Sequence, residues 1–107
     1  MQAGKLDRRV QFLRAGLVDD GYQQTQGPYT AHGAPVWAAK LEVSDAERFR
    51  AGTVEPVITT RFQVRWSAFT AGIERSDRLT CEGREYAIVG IKELGRREGL
   101  EISTVAT

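Results

Sequence analysis

His32 is the one histidine of the sequence, and acid–base or zinc chemistry built on it would need partners of a matching kind. A zinc site takes three or four His, Cys or carboxylate ligands, but the chain has a single cysteine to add to this histidine. A Ser-His-Asp arrangement would have to use His32, which stands in a glycine-rich stretch, and no Gly-x-Ser-x-Gly elbow is present. We therefore expect no catalytic residue, no metal and no cofactor.

The acidic and glycine-rich motifs also indicate no metal site and no phosphate-binding site. Asp19-Asp20 could bind a cation, but the alternating carboxylates of a calcium loop are missing, and Asp20 before Gly21 predicts a turn. The glycines lack the spacing of a phosphate-binding loop. Paired carboxylates for glycoside chemistry could still come from distant strands, although no local pattern favours them. A small enzyme would also need a pocket with perturbed titratable groups, and the sequence indicates none.

The most regular pattern is the unbroken alternation from Thr59 to Trp66. Its members with even numbers form one face (Thr60, Phe62, Val64, Trp66), and the odd-numbered ones, including Arg61 and Arg65, form the other. A period of two predicts a strand with one packed and one wet face. Two arginines on the wet face suit a polar contact surface. Twelve of the 15 cationic residues are arginine, a residue favoured at interfaces, although a GC-rich genome would give the same bias.

Further short strands and tight turns must position these residues. Glu82-Gly83 predicts a hairpin turn, and Ser44 with Glu47 matches a capping box that predicts a helix over about 44–51. The polar stretches Arg14–Pro35 and Ser67–Ser76 are predicted as loops. The predicted strands are Arg8–Leu13, Val36–Val43 (with Trp37, Ala39, Leu41 and Val43 on one side), Thr59–Trp66, Asp77–Cys81, Arg84–Lys92 and Leu100–Val105. The pattern indicates a mainly β fold, a small antiparallel β-barrel or sandwich with long loops and one short α-helix.

Composition limits the class of protein. A chain of 107 residues predicts one domain, over 1–107. Its net charge of +1 argues against a nucleic-acid binder held by phosphate contacts. Cys81 has no partner for an intramolecular disulfide and is expected to face the core. The first residues lack the apolar stretch of a signal peptide, and no run is long enough to span a membrane, so we expect a soluble protein made in the cytoplasm.

Nucleic-acid binding is the alternative from a different class. Small barrels bind single strands with exposed aromatic side chains beside basic grooves. Here Phe62 and Trp66 alternate toward the expected core and the arginines take the opposite face, so core packing explains the aromatics more simply.

The order of the motifs carries a resemblance over nearly the whole chain. Gly4, Leu6, Arg9 and Val10 lead into the first strand, and Val36-Trp37-Ala38 opens the second. The acidic stretch 44–51 precedes Thr60-Arg61-Phe62-Gln63-Val64-Arg65, which is followed by Asp77-Arg78-Leu79, Gly83, Tyr86-Ala87-Ile88, Gly95-Arg96 and Leu100-Glu101-Ile102. This order resembles the head-tail joining (head-closure, or stopper) proteins of tailed bacteriophages and gene transfer agents. The chain departs from them in its first loop, which is longer and richer in Gln, Tyr and Pro.

The resemblance implies a structural protein of the virion and no enzyme. It implies a ring below the portal and its adaptor protein that closes the DNA-filled head, joins it to the tail-side connector and contacts packaged DNA without sequence preference. A ring needs two different complementary side surfaces on each subunit. The residues expected at such contacts are charged or aromatic: Arg61, Arg65, Tyr22, Tyr29, Glu42 and Glu47. The two tyrosines could instead fold down as anchors within the subunit.

Overall fold

Seven β-strands and one single-turn helix make up the described part of the chain, residues 6–19, 21, 24–43 and 58–107 of a computed structural model. The strands are β1 (Arg8–Asp19), β2 (Gln24–Ala31), β3 (Val36–Glu42), β4 (Thr60–Arg65), β5 (Arg78–Cys81), β6 (Arg84–Leu94) and β7 (Gly99–Ala106), and the helix is α1 (Ala68–Ala71).

Six of the strands close into an antiparallel barrel, in the cyclic order β1-β3-β4-β7-β6-β5. Strand β1 closes it because its first half pairs with β3 along one edge, through Arg8–Val10, and with β5 along the other, through Val10–Leu13. The seventh strand, β2, pairs with β1 beyond the barrel wall. The predicted mainly β barrel is confirmed, with more strands than expected.

The barrel is filled by the inward residues of each alternating strand. On β4, Thr60, Phe62 and Val64 are buried, as the alternation predicted, and Trp66 packs against the core from the strand's end. Phe62 meets Tyr86 of β6 edge to face, with ring centroids 5.2 Å apart, a favoured aromatic geometry. Cys81 also faces this core, as predicted.

The predicted hairpin at Glu82-Gly83 is confirmed. Both turn residues have positive φ, 53° at Glu82 and 78° at Gly83, as a turn matched to the right-handed twist of the strands requires. The following strand reaches Leu94, beyond the expected end at Lys92, and carries an irregularity between Ile88 and Gly90.

The predicted loop Arg14–Pro35 is wrong. Strand β1 continues to Asp19, and β2 returns beside it, so the two form a ribbon whose pairing runs from Leu13 with Ala31 to Asp19 with Gln24. Beyond Leu13, β1 pairs with β2 alone. The sequence of this ribbon lacks the apolar and polar alternation by which a strand is recognised.

The predicted loop Ser67–Ser76 contains helix α1. Ser67 Oγ accepts a hydrogen bond from the Thr70 N–H at 3.0 Å, and Thr70 Oγ1 accepts one from the Ser67 N–H at 2.8 Å. This is a capping box in which threonine replaces the usual Glu or Gln, and four residues give no periodicity to detect. The helix predicted over about 44–51 lies outside the described residues.

Candidate interaction surface

The outer face of β3 carries two large apolar side chains. Trp37 and Leu41 are 51% and 43% exposed, and they are the exposed large hydrophobic side chains of the described residues. Both project outward, on the face of β3 opposite to the fully buried Ala38. Large apolar side chains together on an outer wall often mark a contact surface.

Arginines border this apolar stripe on both sides. The Arg9 guanidinium of β1 lies 4.7 Å from the centre of the Trp37 ring, a cation–π contact. On the other side, the register places Leu41 opposite Arg61, and Arg65 lies next to Val64, the partner of Ala38. We call the group Arg9, Trp37, Leu41, Arg61 and Arg65 the Trp37 face.

The two arginines singled out by the sequence differ in their surroundings. Arg61 is half-buried, and its Nε lies 3.9 Å from Glu101 Oε1 on β7. Glu101 also accepts a hydrogen bond from Gln63 Nε2 at 3.1 Å. Arg65 is exposed, and no carboxylate of the described residues pairs with it. Arg65 is therefore more available to a partner than Arg61.

A pocket of about 530 Å³ adjoins the Trp37 face, lined by Leu6, Asp7, Trp37 and Arg65. A second recess of about 280 Å³ shares Leu6, Trp37 and Arg65 and reaches down to Val36, Val64 and Thr70. The second recess is lined mostly by apolar side chains, and the two recesses together include one cation, Arg65, and one carboxylate, Asp7. The shape suits an apolar side chain brought by another protein, with polar groups around it.

Tyr29 is engaged within the subunit. Its hydroxyl donates a hydrogen bond to the Ser76 carbonyl at 2.9 Å, and the Arg78 guanidinium lies 4.5 Å from its ring centre. These contacts tie the ribbon to the barrel, as the anchor role considered for Tyr29 requires. Glu42 is exposed, with Oε1 at 3.4 Å from Lys40 Nζ, while Tyr22 and Glu47 lie outside the described residues.

The base of the ribbon is held by a partly buried ion pair between Arg14 and Asp77. Arg14 donates from Nε and Nη2 to the two carboxylate oxygens, at 2.9 and 2.8 Å, and the Glu74 N–H donates a third hydrogen bond at 2.8 Å. Burial alone would raise the pKa of Asp77, but the hydrogen bonds from Arg14 and Glu74 outweigh it and hold that pKa below its ordinary value. Asp77 therefore stays ionised and fixes β1 to the segment that follows α1.

His32 and Cys81, two of the residues considered for chemistry, each pack within the subunit. His32 packs on Phe69, with ring centroids 5.4 Å apart. Burial raises the pKa of the Cys81 thiol, and the nearby Glu82 carboxylate adds to the shift. Among the described residues, no three His, Cys, Asp or Glu side chains form a group that could hold a metal ion. No described helix is long and apolar enough to span a membrane.

Comparison with known proteins identifies the family of this chain. The family model described as phage head completion protein matches residues 1–107. The chain belongs to the phage head completion protein family. Membership gives it a structural role in the phage head, as a virion component that contacts other head or tail proteins. The suspected kinship with head-closure proteins is thereby confirmed.

The fold has a solved counterpart. The solution structure of protein SF1141 from Shigella flexneri 2a superposes with a TM-score of 0.77 at 22% identity, over 99% of this chain and 96% of that one. At this identity the likeness concerns the fold. No curated protein sequence matches the chain.

Trp37, Leu41 and Arg9 were not among the predicted interface residues. An apolar alternation such as that of β3 shows that two faces differ, but it does not tell which of them faces the core. The buried residue that decides the matter is Ala38, whose small size gives no signal in the sequence.

Proposed function

We propose that this head completion protein forms a ring below the portal and its adaptor, closes the DNA-filled head and joins it to the tail-side connector. Family membership over residues 1–107 is the observation that carries the proposal. In support, each of the six barrel strands has a hydrogen-bonded neighbour on both sides, which limits uncontrolled strand pairing and leaves side chains to make the contacts between subunits. Such a ring would surround the channel and contact packaged DNA without reading its sequence.

Deletion of the gene in the producing strain tests this function. Heads that have lost their DNA, beside free and normal tails, are the expected result in electron micrographs, and the wild-type gene supplied in trans should restore filled, tailed particles. Filled and tailed particles without the gene would overturn the proposal.

The predicted interface residues remain part of the proposal. Arg65 is the most direct to test, because it is exposed and makes no ion pair with the described residues. Arg65→Glu should leave the melting temperature almost unchanged, since surface substitutions usually stay within about 0.5 kcal/mol, and should reduce the yield of tailed particles. Arg75→Glu, a change of the same charge at another exposed arginine, is the matched control. A large fall in melting temperature for Arg65→Glu would make this arginine structural instead.

A second candidate function is single-strand nucleic-acid binding. The Trp37 face favours it, because an exposed aromatic ring and the arginines Arg9 and Arg65 share one surface, the combination that such binding uses. Fluorescence anisotropy with a labelled single-stranded oligonucleotide tests it. Binding that weakens steeply with salt and is lost in Trp37→Ala would support this reading, and no binding at low salt would exclude it.

A further inference from the structure

We infer that the smaller recess beside Trp37 and Arg65 is the docking site for an acidic segment of another head or tail protein, which inserts one apolar side chain into it. This inference rests on the proposed function, because the partner belongs to the particle in which that function places the chain. It adds which pocket is used and by what chemistry the partner is recognised. We call this pocket the strand-end recess, and it is lined by Leu6, Val36, Trp37, Val64, Arg65 and Thr70, among others.

The strand-end recess lies where the pairing of β3 with β4 stops. The last pair is Ala38 with Val64, but β3 begins two residues earlier, at Val36, and β4 continues one residue further, to Arg65. Both strand ends therefore line the recess without continuing the ladder between them. Because the strand register fixes this arrangement, the recess is formed before any partner arrives, as binding sites usually are.

The inside of the recess offers mainly apolar contact. Val64, one of its lining residues, is only 1% exposed. The two hydroxyls that line it are already engaged: Ser67 Oγ accepts a hydrogen bond from the Thr70 N–H, and Thr70 Oγ1 donates one to the Arg65 carbonyl at 2.9 Å. A site for a small ligand usually fixes it with several converging polar groups. The recess therefore suits an apolar side chain better than a small polar ligand.

Two cations beside the recess have no carboxylate partner within the described part of the chain. They are Arg65, which lines the recess, and Arg9, which lies 4.7 Å from the centre of the Trp37 ring. The nearby Asp7 already has a cation, Arg8, with Oδ1 3.9 Å from Nε. Strand β3 runs between β1 and β4, so the two arginines lie on opposite sides of Trp37. A complementary partner therefore brings carboxylates on both sides of its inserted side chain.

A protein segment fits these features better than a nucleic acid does. Bases bind by stacking on exposed aromatic faces, but Arg9 already covers one face of Trp37, and the recess is lined by branched aliphatic side chains such as Val36 and Val64. Phosphates would satisfy the two arginines but would leave the apolar recess unfilled. Aromatic residues and arginines of this kind dominate the binding energy at protein contacts.

Photo-cross-linking in assembled particles tests the docking. The deletion strain is complemented with the protein carrying photoreactive benzoylphenylalanine in place of Trp37, an aromatic exchange at an exposed position. Irradiation should link it to another head or tail protein, and mass spectrometry should place the link in a segment with Asp or Glu on both sides of an apolar residue. Benzoylphenylalanine in place of Leu6, which also lines the recess, repeats the test without altering Trp37. The matched control carries it in place of the exposed Arg75 and should not reach that segment.

Charge variants test the recognition without relying on assembly. A synthetic peptide of the cross-linked segment is titrated against the purified protein. Arg65→Glu should weaken its binding at least about tenfold, since loss of one partner of an interfacial charge pair has an effect of this size or larger. Arg65→Lys keeps the charge and should retain most of the affinity, and Arg75→Glu controls for net charge. Equal affinities for Arg65→Glu and Arg75→Glu would contradict the inference.

The outcomes separate this inference from the proposed function. A link to a second copy of this chain, a link to packaged DNA or a link to a segment without carboxylates would each overturn the docking and leave the proposed function standing. The same holds for filled, tailed particles that give no link from either position. A deletion strain with normal particles would instead refute the function itself.

Discussion

Removal of Arg14 would show how much the fold depends on its partly buried ion pair. The Asp77 side chain is 1% exposed and that of Arg14 is 35% exposed. Arg14→Met keeps the aliphatic stem but leaves the buried carboxylate with one donor, the Glu74 N–H, in place of three. Loss of a partner from a buried pair costs about 3–5 kcal/mol. Because water reaches Arg14 and screens part of its interaction, we expect a loss of about 2–3 kcal/mol.

Urea denaturation followed by tryptophan fluorescence measures this loss. A destabilisation of this size should lower the midpoint by roughly 1–2 M at neutral pH. Arg75→Met is the matched control, since Arg75 is exposed and its change should stay within about 0.5 kcal/mol. Equal midpoints for the two variants would refute the reasoning, because they would mean that the Arg14–Asp77 pair adds nothing beyond a surface contact.

The pH dependence gives a second test of the same pair. The pKa of Asp77 is lowered in the folded state, so its contribution is fully present above the ordinary pKa of an unfolded aspartate, about 4. That contribution is lost as the pH falls through the lowered folded value. In Arg14→Met the carboxylate instead becomes easier to protonate. The difference in free energy of unfolding between wild type and variant should therefore shrink on acidification below about pH 4, and a difference that stays constant would contradict the assignment.

Three further changes test local packing. Gly33→Ala should destabilise the protein by about 1–3 kcal/mol, because Gly33 has a φ of +73° and a Cβ there would collide with the Phe69 ring. Gly83→Ala should cost less, because Gly83 has a similar φ of +78° but open space around it. Calorimetric melting compares the two variants. Ser67→Ala removes the cap of α1 and should lower the stability by about 1 kcal/mol in the same assay. An unchanged stability would mean that α1 contributes little to it. Cys81 is buried, so a thiol reagent should react with it only on unfolding; rapid labelling of the native protein would place it at the surface.

The barrel could be predicted from sequence where a strand has one packed face and one wet face. Phe62 and Val64 are buried, and Arg65 is exposed, as the period of two required. The turn at Glu82-Gly83 was equally readable, because few residues tolerate positive φ.

The ribbon and the contact surface could not be predicted in this way. The outer half of β1 and β2 pair with each other beyond the barrel wall, and their sequence has no apolar and polar alternation that would mark them as strands. For β3 the alternation was visible, but its direction depends on how much room the barrel leaves next to Ala38. The partner of Ala38 across the sheet is Val64, and the rest of its core cluster comes from other parts of the chain, a tertiary effect that no local window contains.

The strand that closes the barrel also determines when the protein can finish folding. Val10 pairs with Cys81, so this edge of β1 can pair only after a partner about seventy residues later in the chain has been synthesised. Contacts this distant in the chain are slow to form, because a long loop must close before they contribute. During synthesis, β1 can pair with β2 and β3 early, but its second edge stays open until β5 leaves the ribosome. A chain interrupted before Arg78 would keep that edge exposed, and we expect it to aggregate rather than to accumulate as a partial barrel.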